Sequence, residues 1–377
     1  MRLGYFLLII IFLIGLLLGC PETGSSGGSG ESDNKANQEY NLLYTVNEDL
    51  DKVAFLNASD CSYKNGDRDS SVFTTGDHPL DVAINVSKKI LYVVNDSSDT
   101  VTFFNAVTGS YLFGDLASSS FPTEDNPSSV CVHETANILY VTNRLANSVT
   151  FFNATTGAYI NGTLAASTFD TQFQPFACTV NTSHNILYVA NRSSDTVTFF
   201  NAITGDYLFG TLALSSKTTG FEPCGVEINE DAGILYVSNF ASYNINFFNA
   251  VTGEYYFSND YIDSTFISGG NSIGLEFNSD NNILYVTVST VSDDYVTFFN
   301  ALTGDYVFGD VFSSRFITES TPIAIKYIKK LNHLYVINSG SHSLTVYNPS
   351  TGVYINGTID NSTYDVGITP SGLAYLP

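Results

Sequence analysis

The chain has 377 residues, and 37 Asp and Glu against 14 Lys and Arg give it a formal net charge of −23. That balance excludes a nucleic-acid partner, because phosphate binding needs a basic footprint. Apolar residues make up 44% and charged residues 14%, which excludes a disordered chain, and 24 Tyr and 28 Phe with frequent Gly, Asn, Ser and Thr favour strands and turns over helices.

Arg2 is the only charge ahead of a continuous apolar run from Leu3 to Leu18. The run is short for a membrane span of roughly 20 residues and suits the core of a secretory signal. It ends in Leu17-Leu18-Gly19-Cys20, which resembles the lipobox of bacterial lipoproteins. The resemblance implies a signal peptide over residues 1–19, cleavage before Cys20 and lipidation of Cys20; an uncleaved membrane anchor is the alternative. Residues 20–41 follow as the lipidated cysteine and its tether. Pro21 to Glu39 is rich in Gly and Ser and has no apolar periodicity, so it reads as a flexible linker. The expected location is the bacterial cell envelope, lipid-anchored and extracytoplasmic, on the periplasmic face or the cell surface.

From residue 42 to residue 377 one unit repeats. Leu-Tyr-Val-x-Asn starts at Leu91, Leu139, Leu187 and Leu235, with weaker copies at Leu43, Leu284 and Leu334. The steps are 48, 48, 48, 48, 49 and 50 residues, a period that means a propeller or solenoid rather than separate domains. Each unit carries four strand signals. In the second unit these are Pro79–Asn85, Ile90–Asn95, Val101–Asn105 and Tyr111–Leu116, and the turn Asn-Ala-x-Thr-Gly precedes the last of them. Its glycine suits the left-handed position of a short hairpin. Four short antiparallel strands, seven times, without helical periodicity, predict an all-β, seven-bladed β-propeller. The first unit starts at its second strand, Leu42, and Pro370–Leu376 at the C-terminus reads as a seventh innermost strand. The last strand is therefore expected to complete the first blade and close the ring, leaving no open sheet edge.

Leu-Tyr-Val-Thr-Asn followed by Val-Thr-Phe-Phe-Asn-Ala-x-Thr-Gly resembles the YVTN β-propeller repeat family, and Tyr140-Val141-Thr142-Asn143 reproduces the naming motif. The resemblance covers residues 42–377. It implies a seven-bladed propeller related to lactonase-like propellers. No family catalytic residue carries over, because no motif for one is present.

Along the innermost strands, the third and fifth residues after the proline position are apolar, and the second is mostly small, as expected at a crowded axis. The fourth is Ala83, Cys131, Thr179, Glu227, Glu276, Lys326 and Ala374. Three consecutive blades thus place Glu227, Glu276 and Lys326 at one level near the axis. Two carboxylates about 8 Å apart repel by roughly 2 kcal/mol at an effective dielectric of 20. A nearby lysine offsets that, so the trio suits acid–base work or a bound ligand; a water-filled channel with no task is the alternative. Arg144 and Arg192 each follow the Asn that ends the second strand in adjacent blades. That places two guanidiniums on one rim, suited to a carboxylate or phosphate ligand, unless each pairs with a local acid. Phe73, Phe121, Phe169, Phe266, Phe316 and Tyr364 recur six residues before the proline position, broken by Lys217, and read as loop anchors. The five His show no paired spacing, so no metal site and no cofactor are predicted. Cys61, Cys131, Cys178 and Cys224 show no disulfide framework and read as small buried thiols.

One propeller face should carry the uniform Asn-Ala-x-Thr-Gly turns and the other the varied loops, which marks the varied face for binding. The leading expectation is a membrane-tethered, monomeric module that binds an unknown protein or small molecule there. A lactonase-like hydrolase using the axial carboxylates is one alternative, and a structural envelope protein another.

Overall fold

The computed structural model describes residues 39–377; the leader, Cys20 and the tether as far as residue 38 lie outside the described residues. Seven four-stranded antiparallel sheets follow one another along the chain. Their inner strands are Pro370–Leu376 in blade 1, then Pro79–Asn85, Pro127–His133, Pro175–Asn181, Pro223–Asn229, Asn271–Asn278 and Pro322–Ile328 in blades 2 to 7. The chain is a seven-bladed β-propeller. Its ring closes as the repeat phase requires: Pro370–Leu376 pairs with Leu42–Asn47, from Leu376 against Leu42 to Pro370 against Asn47. Tyr40 N–H donates to Pro377 O at 3.1 Å, so the two ends of the ring meet in one blade.

The repeated motif residues each have a task. Second strands such as Ile138–Asn143 are buried throughout. Their tyrosine hydroxyls donate to the carbonyl of the second turn residue in the following blade: Tyr44 to Ala106, Tyr92 to Ala154, Tyr140 to Ala202, Tyr188 to Ala250, Tyr236 to Ala301 and Tyr285 to Pro349, at 2.6–2.8 Å. Tyr335 to Ala58 completes the circle. The asparagine that ends the strand donates sideways to the third strand, as from Asn143 Nδ2 to Thr150 Oγ1 at 2.9 Å. In the turn, Asn105 Oδ1 accepts from the N–H groups of Val107 and Thr108 at 2.9 and 3.0 Å, and Gly109 takes φ +79°.

The outermost strand lies elsewhere than expected. In blade 2 it is Ser120–Pro122, not Tyr111–Leu116. Tyr111 makes a single bridge to Phe104, Gly114 turns the chain at φ +101°, and Asp115 caps a one-turn helix over Leu116–Ser119 by accepting from Ser118 N–H. The aromatic series falls at the centre of these three-residue outer strands rather than in loops. The five phenylalanine rings lie under the turn glycine of the next blade, so a Cβ on Gly157 would sit 2.1 Å from Phe121 Cζ. Lys217, which interrupts the series, occupies the same place beneath Gly253 and extends over the Phe209 ring, 4.4 Å from its centroid.

The small second position of the inner strand also has a different cause from a crowded axis. A Cβ on Gly225 would meet Ile273 O of the next blade's inner strand at 2.3 Å. The second and fourth side chains face the following blade, and the third and fifth face the preceding one, as with Leu275 and Phe277 against Tyr236 and Phe247.

Candidate functional site

Glu227, Glu276 and Lys326 come from the inner strands of blades 5, 6 and 7 at equivalent positions, and the structure brings them together. Lys326 Nζ donates to Glu276 Oε2 at 2.9 Å, and Tyr327 N–H donates to Glu276 Oε1 at 3.1 Å. The Glu276 side chain is 9% exposed, whereas Lys326 keeps 38% of its side chain in reach of solvent. Burial, reinforced by the neighbouring Glu276 charge and opposed by Lys326, pushes the Glu227 carboxyl up to about 8. Burial also raises Glu276 against the pull of Lys326. Burial of Lys326 works against its charge, but the two carboxylates outweigh it and its pKa rises. Near neutral pH the trio therefore holds an ion pair beside a carboxylic acid that keeps its proton. A protonated acid next to a fixed ion pair can donate to a leaving oxygen or hydrogen-bond a polar ligand.

The two arginines lie on the face that carries the varied loops, but they do not converge on a shared anion site. Arg144 Nη2 donates to Asp96 Oδ1 at 3.1 Å and to Asn126 Oδ1 at 2.9 Å. Arg192 donates through Nη2 and Nε to Glu222 Oε2 at 2.8 and 3.2 Å, and its guanidinium lies 5.2 Å from the Phe176 ring and 5.1 Å from the Phe240 ring. A cavity of about 610 Å³ opens at Arg192, lined among others by Gln174, Ser193, Asp195, Phe221 and Glu222.

Reading the repeats one strand at a time passes over several residues here. His78 stands between Asp96 and Glu48, with ring nitrogens 3.5 and 3.7 Å from their carboxylates. Burial raises the Glu48 carboxyl, opposed by His78. The signal was available: His78, Asn126, Gln174 and Glu222 each immediately precede an inner-strand proline, and the residues after the motif asparagine, or after Val288 in its place, are Glu48, Asp96, Arg144, Arg192, Phe240, Ser289 and Ser339. The two sets meet at one rim, where Arg192 N–H donates to Gln174 O and Phe240 N–H to Glu222 O. Asp81, also facing the next blade, accepts from Ser129 Oγ and Val130 N–H at 2.8 and 3.1 Å, which makes it a tie between blades 2 and 3. Among the described residues no group of three His, Cys, Asp or Glu side chains is arranged to hold a metal ion.

The family model described as "Lactonase, 7-bladed beta-propeller" matches residues 40–206. Over that stretch the chain is similar to the seven-bladed lactonase propellers. Similar solved structures include a provisional 6-phosphogluconolactonase from Bacteroides fragilis, at 15% identity, TM-score 0.67, covering 92% of this chain and 100% of that one. A second provisional 6-phosphogluconolactonase, from Bacteroides uniformis, is 14% identical with TM-score 0.67, covering 90% and 100%. Hydrazine synthase of Kuenenia stuttgartiensis is 16% identical with TM-score 0.62, covering 78% and 89%. At these identities the likeness is one of fold alone. No curated protein matches the sequence.

Proposed function

We propose that the protein is a propeller held at an extracytoplasmic membrane surface through Cys20, and that it captures a small polar ligand on the face with the varied loops. The observation that carries this reading is the contrast between the two faces. The turn face repeats Asn-Ala-x-Thr-Gly, whereas the equivalent rim position opposite runs through acids, arginines, Phe240 and two serines. A seven-fold scaffold has no need of that variety, and a ligand does. The cavity at Arg192 falls in the size range of small-molecule sites. There the flanking Phe176 and Phe240 rings hold the guanidinium in place, so that an incoming carboxylate or phosphate would compete with Glu222 for it. Calorimetric titration with a panel of sugar acids, lactones and organic phosphates tests the reading. A ligand is expected whose affinity falls at least about tenfold with Arg192→Ala; unchanged affinity for every ligand found would refute the site.

A second reading, hydrolysis of a lactone or related ester, is supported by the lactonase family match over residues 40–206 and by the protonated Glu227 beside the Glu276–Lys326 pair. In that reaction water would add to the lactone carbonyl, the ring C–O bond would break as Glu227 protonates the leaving oxygen, and the water's proton would return to Glu227, while Lys326 and Glu276 hold the substrate in place. Hydrolysis of a lactone panel that survives Glu227→Gln unchanged would remove this reading.

A further inference from the structure

Cys131 is the fourth residue after the proline in the inner strand of blade 3, and Cys178 the third in that of blade 4. The first of these positions faces the following blade and the second the preceding one, so the two side chains meet across the interface of blades 3 and 4. Both pack against the same apolar cluster. Ser129 Oγ, on the same strand as Cys131, lies 4.0 Å from Cys178 Sγ. Both cysteines are partly exposed, whereas Cys61 and Cys224 are buried, and all four are free thiols. Nothing in the acid trio or the arginine rim uses this pair.

We propose that Cys131 and Cys178 form a redox-active dithiol that closes to a disulfide between blades 3 and 4. The oxidant is a low-molecular-weight disulfide. One cysteine thiolate attacks it, the reagent's S–S bond breaks, and one reagent thiol leaves. The second cysteine thiolate then attacks the mixed disulfide, forming the interblade S–S bond and releasing the second reagent thiol. The two cysteines lose two electrons and two protons, and the reagent gains both. Burial and the neighbouring sulfur hold the Cys131 thiol well above its ordinary range, so exchange is slower near neutral pH than for a free thiol and speeds up in mild alkali.

The test is incubation of the full chain, folded, with oxidised glutathione in mild alkali, followed by alkylation and peptide mass spectrometry. The expected product is a reducible linked peptide joining Cys131 to Cys178 in monomeric protein, with Cys61 and Cys224 alkylated. Cys131→Ser and Cys178→Ser should each abolish the link and leave a glutathione adduct on the remaining thiol. A lasting glutathione adduct on either cysteine of the wild type would overturn the proposal, because it shows accessible thiols too far apart to resolve it. So would a folded protein in which both stay unmodified while the urea-unfolded chain is oxidised.

Discussion

Replacing glycines of one backbone class separates conformational strain from packing. Gly157 at φ +71° and Gly162 at φ +85° both sit in the left-handed region, where a side chain costs about 1–2 kcal/mol. Around Gly162 nothing lies within 4 Å of an added Cβ. At Gly157 the Cβ would fall 2.1 Å from Phe121 Cζ, and that ring is packed edge-on against Phe103 with centroids 4.9 Å apart. Overpacking of this kind adds about 1–3 kcal/mol. Gly157→Ala should therefore destabilise by about 2–5 kcal/mol and Gly162→Ala by about 1–2. Gly253→Ala should fall between them, because the atom it meets is Cε of the flexible Lys217, at 2.7 Å. Urea denaturation midpoints, with unchanged slopes, give the comparison. If Gly157→Ala and Gly162→Ala lose the same stability, the aromatic ring does not support the turn.

Three further outcomes follow from the same structure. Deleting Pro370–Pro377 removes the partner of Leu42–Asn47 and the buried Leu376, each large apolar side chain being worth about 1.5–3 kcal/mol; a truncated protein that melts at the wild-type temperature would refute ring closure as a source of stability. Burial pushes the Glu227 carboxyl up to about 8 in the folded state, from an ordinary glutamate value of about 4.3. Between those values the folded state binds a proton that the unfolded chain has lost, so its contribution to stability falls as pH rises through that window. Glu227→Gln should flatten the decline, and denaturation profiles of equal slope for variant and wild type would sink the assignment. Cys20→Ala should abolish labelling by a fatty-acid analogue, and a variant that stays labelled would show that Cys20 is not the anchor.

The period made most of this fold legible. Because the steps hold near 48, residues of different blades superpose in the sequence itself, and that superposition brings Glu227, Glu276 and Lys326 to one level. The outermost strand escaped because three residues around a single aromatic carry too little alternation to stand out, while Tyr111–Leu116 looks more strand-like than it is. Which way the inner strand's side chains face escaped too, since both faces are lined by neighbours and neither is polar throughout. The acids that neutralise the arginines were hidden for another reason. Glu222 comes from the strand entry of the blade after Arg192, and Asp96 from just past the second strand of the blade before Arg144. Partners 30 and 48 residues away on different elements leave no local pattern.

The tyrosine bonds between blades also bear on how such a chain can change in length. Each unit holds a donor for its successor and an acceptor for its predecessor, and the donor and acceptor sites are chemically the same from one unit to the next. If a whole unit were lost by recombination, the hydroxyl before the gap would meet the same carbonyl on the unit after it. Inserting a copy would likewise create one new bond and strand none. The coupling is thus indifferent to the number of units, and the count of seven has to be held by something else: the wedge formed by large tyrosine and phenylalanine rings at mid-blade and small residues at the inner strand. Mutations that alter that taper, more than mutations of the couplings, are the ones that should open the way to rings of six or eight.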